Sequence, residues 1–120
     1  MISFESDYNN GTVPQIIERL AEANNQKTSG YGFDAFTEEA KTKIKEAVGM
    51  ENAEVFLLVG GTQTNTTVID SVLKGCEGVI TVETGHIAVH ESGAVEAFGH
   101  KVITLPGIDS KLKAETLEAY

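Results

Sequence analysis

Apolar residues recur along the chain with different periods, and each period predicts a different element. Val13, Ile16, Ile17, Leu20 and Ala21 fall at helical spacing. This predicts an amphipathic helix capped by Thr12, with Pro14 in its first turn and an end near Asn24 and Asn25. Ala40, Ile44, Ala47 and Val48 repeat the pattern. A second helix is therefore expected to open at Thr37, with Glu38 and Glu39 at its dipole-positive end, Lys41, Lys43 and Lys45 on its solvated face and Gly49 as its stop. Residues 55–59, Val-Phe-Leu-Leu-Val, form an unbroken apolar run instead, which suits a strand buried on both faces of a parallel sheet. The run meets Gly60-Gly61-Thr62-Gln63-Thr64-Asn65, after which Val68, Ile69, Val72 and Leu73 return to helical spacing until Lys74-Gly75. Residues 54–73 thus read as strand, glycine turn and helix, and the rest of the chain is arranged around them.

Beyond this unit, the β-branched runs at 79–82 and 101–105 predict two short strands, the second stopped by Pro106-Gly107. A helix over 87–98, closed by Gly99, is expected between them. Another is expected from Ser110, with Leu112 and Leu117 toward the core. Residues 1–11 and 26–36 have no period and are rich in turn formers, which reads as an arm and a loop. The predicted organisation is an arm and two helices over 1–50, a β-α-β-α-β unit over 54–105 and a truncated helix over 110–120. Strands alternating with helices place the chain in the α/β class, with right-handed crossovers and a mainly parallel sheet flanked by helices. No internal repeat, low-complexity tract or linker interrupts it.

Composition narrows the functional classes. With 120 residues and 41% hydrophobic content, the chain suits a single globular domain with a core. Its formal charge of −9 disfavours nucleic acid and anionic membrane surfaces as partners. No apolar run approaches the roughly 20 residues needed to span a bilayer. The one cysteine, Cys76, excludes an intramolecular disulfide, and the first residues lack the basic and long apolar segments of a secretory signal. The expected location is cytoplasmic.

Two places carry candidate chemistry. At the glycine turn, backbone amides and the positive end of the following helix would converge on one point, where an anion such as a phosphate could sit. A tight turn without a ligand explains the same residues equally well, since neither a P-loop lysine nor a G-x-G-x-x-G pattern is present. The second place is His86, just past the strand at 79–82. Ligands of open α/β sheets gather beyond the carboxyl ends of strands, so His86 is expected at the same sheet edge as Gly61 and Thr62. Such a histidine can act as a base, stack on a flat ligand or hydrogen-bond a loop carbonyl. His86 and His90 are four residues apart, but no third ligand completes a metal site, and none is expected. His100 reads as a surface residue, and Cys76, without a base partner, as structural or inert.

Taken together, these residues resemble the N-terminal part of the low-specificity threonine aldolases, which belong with the β-eliminating lyases among the pyridoxal-phosphate enzymes of the aspartate aminotransferase fold. The resemblance runs through Ser6-Asp7, Tyr31-Gly32 with Asp34, Gly61-Thr62 with Asn65, and His86-Ile87 with Glu91, Gly93 and Ala94. It implies a partial large domain of that fold. It further implies that Gly61, Thr62 and Gln63 hold the phosphate of pyridoxal 5'-phosphate and that His86 stacks on its ring. Ser6, Tyr31 and His90 would lie toward the amino-acid substrate, with Tyr31 near the site of a neighbouring subunit in a homo-oligomer. The implied reaction cleaves β-hydroxy-α-amino acids between Cα and Cβ, threonine giving glycine and acetaldehyde.

Departures from the family pattern qualify that reading. Gly60 stands where these enzymes usually carry a serine, and His90 where many carry an aromatic residue. The lysine that bonds the cofactor, the aspartate facing its ring nitrogen and the arginine that grips the substrate carboxylate belong, by resemblance, to later parts of such chains. Here the only arginine is Arg19, and none of the eight lysines sits in a matching motif. The chain is therefore expected to be an N-terminal segment, incomplete for catalysis alone. Three alternatives remain: a β-eliminating lyase or aminotransferase of the same fold, a small flavodoxin-like module binding a mononucleotide at the glycine turn, and a structural or assembly fragment with no ligand.

Overall fold

The structure, a computed structural model, describes residues 10–120. The described residues divide into two compact units, the first ending at Phe56 and the second running from Leu57 to Tyr120.

The first unit contains helices α1 (Pro14–Ala23) and α2 (Ala35–Val48). Pro14 at the first position of α1 has a preset φ and no amide to satisfy, which suits it to a helix start. Thr12 is not the cap, however. Val13 occupies that position and makes no side-chain cap bond. In α2 the cap is Asp34, whose carboxylate accepts from the Thr37 amide at 2.9 Å and from the Thr37 hydroxyl at 2.7 Å. The helix therefore opens at Ala35, earlier than Thr37. Gly49 ends it with φ 66°, a left-handed conformation that costs a residue without Cβ nothing. The apolar stripe of α1 is not buried within the described residues, since Ile16, Ile17 and Leu20 are all about half exposed.

The second unit carries α3 (Gly61–Val72), β1 (Gly78–Val82), α4 (His86–Val89), a 3₁₀ turn (Glu96–Phe98), β2 (Lys101–Leu105) and α5 (Ala114–Ala119). β1 and β2 pair in parallel, with Gly78 opposite Lys101 and Val82 opposite Leu105. Residues 55–59 form no strand, so among the described residues the sheet has two strands and not three. The reason is visible in their exposure: Phe56, Leu57 and Val59 are 76, 53 and 94% exposed, and no described strand lies beside them. An apolar run specifies a strand only if something pairs with it.

The remaining differences follow from local backbone geometry. The helix expected over 87–98 breaks after α4, because Ser92 and Gly93 both take positive φ. The helix expected from Ser110 begins at Ala114. Before it, Asp109 and Ser110 form a positive-φ turn closed by the bridge between Ile108 and Lys111. The expected inner stripe of α3 is also shifted. Val68 and Val72 are exposed, whereas Thr66 is buried and returns its hydroxyl to the Thr62 carbonyl at 2.8 Å. Val95 and Leu105 are the buried hydrophobic residues of this unit. His100, read from sequence as a surface residue, is buried beside β2, with its Nε2 2.9 Å from Asp70 Oδ1 on α3. Among the described residues no helix is long and apolar enough to cross a membrane.

Candidate functional site

The site is assembled in the second unit from the start of α3 and the carboxyl end of β1. The first helical bond of α3 runs from the Thr64 amide to the Gly60 carbonyl at 3.0 Å. The amides of Gly61, Thr62 and Gln63 precede it and have no acceptor within the helix. Gly60 is fully extended, with φ 177° and ψ 173°, and a Cβ added at Gly60 or Gly61 would meet nothing within 4 Å. Neither backbone strain nor packing within the described chain requires glycine at these two positions. Both positions open onto free space. Gln63 is differently engaged: its side-chain oxygen accepts the Val59 amide at 3.0 Å, which fixes the approach to the helix.

The edge of the sheet is tied together just past the strands. The Glu83 amide donates to the Leu105 carbonyl at 3.2 Å, and the Glu83 carboxylate accepts the Gly107 amide at 3.1 Å. Gly85 then turns the chain into α4, its amide bonded to the Val82 carbonyl at 2.8 Å. The turn is tight, since a Cβ on Gly85 would collide with Thr81 Oγ1 and stand 3.0 Å from the Val82 carbonyl. His86 follows directly as the first residue of α4.

His86 and α3 are joined by Glu91. His86 Nδ1 lies 2.9 Å from Glu91 Oε1, and the Asn65 side-chain amide donates to the same oxygen. Asn65 sits four residues after Gly61, so the bond ties the α3 amino terminus to the imidazole. The Glu91 side chain is fully buried, whereas that of His86 is 62% exposed. A hydrogen on Nδ1 completes this bond with Oε1 as acceptor and turns Nε2 outward. The His90 ring is 5.3 Å from that of His86, centroid to centroid, at a tilted angle.

The sequence-predicted residues thus fall into three groups. Gly61, Thr62, Gln63, His86 and His90 share the second unit, with the α3 start and His86 linked through Asn65 and Glu91. Tyr31 belongs to the first unit, where it is fully exposed with φ 60°. Ser6 lies outside the described residues. Glu91 and Asn65 were visible in the sequence as part of a motif but not as one hydrogen-bonded cluster. Nothing in local pattern connects two residues 26 apart. Among the described residues no group of three or more histidine, cysteine, aspartate or glutamate side chains could hold a metal ion.

An amino-terminal helix end beside a histidine at the carboxyl edge of a parallel strand pair is an arrangement in which α/β folds can hold a ligand. The lineage of the chain is specific. Residues 3–120 match the Beta-eliminating lyase family, and the chain belongs to it. Among curated relatives, the low specificity L-threonine aldolase of Pseudomonas sp. (strain NCIMB 10558) is 31% identical over 91% of the chain and 32% of its own length. The enzyme of the same name from Pseudomonas aeruginosa is 31% identical over 81% of the chain and 28% of its own length. Among solved structures, Leishmania major threonine aldolase superposes with a TM-score of 0.88 at 39% identity, over 95% of this chain and 33% of that one. The chain spans about a third of the length of these relatives.

Proposed function

We propose that this chain forms the part of a pyridoxal-phosphate-dependent threonine aldolase that cradles the cofactor phosphate and faces its ring. The observation that carries the reading is the Asn65–Glu91–His86 cluster, which joins the unpaired amides opening α3 to an outward imidazole. Enzymes of the Beta-eliminating lyase family are pyridoxal-phosphate enzymes in general, and the donor set here suits such a group. In this reading the amides of Gly61, Thr62 and Gln63 bind the phosphate, aided by the positive end of the helix. The space in front of Gly60 and Gly61 admits it, and the exposed face of His86 supports the pyridine ring. The Gln63 side chain holds residue 59 in place and contributes its amide, not its carboxamide, to the cradle.

When bound, the cofactor supplies an electron sink for the pair released as a Cα bond breaks. With its hydrogen on Nδ1, His86 would offer Nε2 as the acceptor of a substrate proton. His90, beside it, lies toward the substrate side chain. The substrate is a β-hydroxy-α-amino acid, threonine first among them, and Ser6 and Tyr31 contribute to the substrate side of a cytoplasmic homo-oligomer. Nucleic acid and membrane are not partners. The lysine, aspartate and arginine that complete such a site come from sequence other than these 120 residues.

The test is a titration of the chain with pyridoxal phosphate, followed by absorbance and by competition with inorganic phosphate. Binding that phosphate displaces, and that His86→Ala weakens by about tenfold or more, a loss of about 1.4 kcal/mol, supports the reading. Tight binding of a flavin or nucleotide with no response to pyridoxal phosphate would establish the mononucleotide module in its place.

A further inference from the structure

Glu91 is an unusual choice for an interior position. Its side chain is fully buried, both available donors converge on Oε1, and Oε2 has no partner among the described residues. An under-satisfied buried carboxyl group is costly, and an apolar residue of similar volume would pack there without that cost. Stability alone therefore does not account for it. Its geometry does serve His86. The ring is mostly exposed, and without a buried acceptor it would be free to rotate and to exchange its hydrogen between the two nitrogens.

We infer that Glu91 is the positioning residue of the site: by accepting from His86 Nδ1 and from Asn65 on one oxygen, it fixes the imidazole tautomer and locks the ring to the amino-terminal turns of α3. The tautomer is inferred from the Nδ1–Glu91 contact, whereas its consequence for a cofactor rests on the function proposed above. Partners that orient an imidazole in this way determine which ring nitrogen is presented outward. Here Nε2 is presented and Nδ1 is withheld. Asn65 adds directionality, because it couples ring orientation to the helix end at which an anion is held.

Nitrogen-detected NMR of the histidine ring in the intact chain tests this. The wild-type protein is expected to show His86 as the Nδ1–H tautomer. Glu91→Leu, which removes the acceptor, is expected to shift it to Nε2–H. Glu91→Gln, which restores an acceptor oxygen, is expected to recover Nδ1–H and most of the pyridoxal phosphate affinity that the leucine variant loses. A wild-type His86 in the Nε2–H form overturns the assignment whatever the variants do, as does an unchanged tautomer in folded Glu91→Leu. Should the tautomer behave as stated while wild-type chain fails to bind pyridoxal phosphate, the positioning role stands and the proposed function falls.

Discussion

Two regions of the second unit carry the same chemical pair in opposite arrangements. At the carboxyl edge of β1, His86 is 62% exposed and its glutamate partner is fully buried. At the start of β2, the His100 side chain is 3% exposed and its aspartate partner is 48% exposed. The nitrogen-to-oxygen distance is 2.9 Å in both. What differs is which group faces water. Burying the ring and exposing the carboxylate makes a pin: His100 fills space, Asp70 keeps much of its hydration, and α3 is fastened to β2. Burying the carboxyl group and exposing the ring gives up packing so that an imidazole can be held still in the open. The first arrangement stabilises a fold, and the second, under the proposed function, presents a functional group.

The comparison is broken most directly by deleting each ring in turn. His100→Ala removes a buried side chain and its bond to Asp70, and is expected to lower stability by roughly 1–3 kcal/mol. His86→Ala is expected to cost less than about 1 kcal/mol, because water can reach the space vacated by an exposed ring and replace its donor. Ligand binding should respond in the opposite order, with the folded His100 variant retaining pyridoxal phosphate and the His86 variant losing it. Denaturant melts beside the cofactor titration check both readouts, and equal effects at the two positions would end the distinction.

A smaller effect is expected where the turn, not the ring, is altered. Gly85→Ala places a methyl group against Thr81 and the Val82 carbonyl. Thr81 can rotate away but the carbonyl cannot, so a loss of about 1 kcal/mol is expected, the low end for overpacking. Because Gly85 aims His86, this variant should also disturb the histidine NMR signal of His86 and leave that of His100 in place. Movement of both signals would mean that the two regions are not independent.

How much of this was legible in the sequence depends on the range of the interaction. The helices α1 and α2 announce themselves through spacing, an early proline and a terminal glycine, all signals within a turn or two of chain. The strands at 79–82 and 101–105 were readable because both partners are present. The apolar run at 55–59 carries the same signal, yet pairs with nothing among the described residues. Pattern gives the wish for a partner and not its presence. His100 was misread for a related reason. A histidine before a strand looks exposed until Asp70, 30 residues earlier, is brought beside it. The cluster of Asn65, Glu91 and His86 was half legible: the histidine stood out by its place at the end of a strand, but the buried carboxyl group that holds it could be recognised only in three dimensions.

The weakest carboxylate interactions set the lower end of the comparison, and they lie in the first unit. Asp34 is held below its ordinary value of 3.8 by the Thr37 hydroxyl and amide, and Glu39 is lowered by its bond to Lys43 and by that residue's charge. A carboxyl group whose folded pKa is depressed binds its proton less readily in the folded state. Its contribution is therefore present above the unfolded value and is lost as pH falls through the folded one. The α2 helix should accordingly lose helical circular dichroism as pH drops below about 4, the unfolded carboxylate range. The two groups can be separated by salt. Asp34 acts through neutral hydrogen-bond donors, so its share should survive added salt, whereas the Glu39–Lys43 pair is exposed and should be screened. Asp34→Ala should shorten or fray the start of α2 at neutral pH and flatten its acid response. Asp34→Asn should keep the cap while also flattening that response, because an asparagine oxygen can accept the Thr37 amide without titrating. An acid limb unchanged in Asp34→Asn would show that the local cap, unlike the buried Glu91 cluster, leaves no measurable trace in the behaviour of the chain.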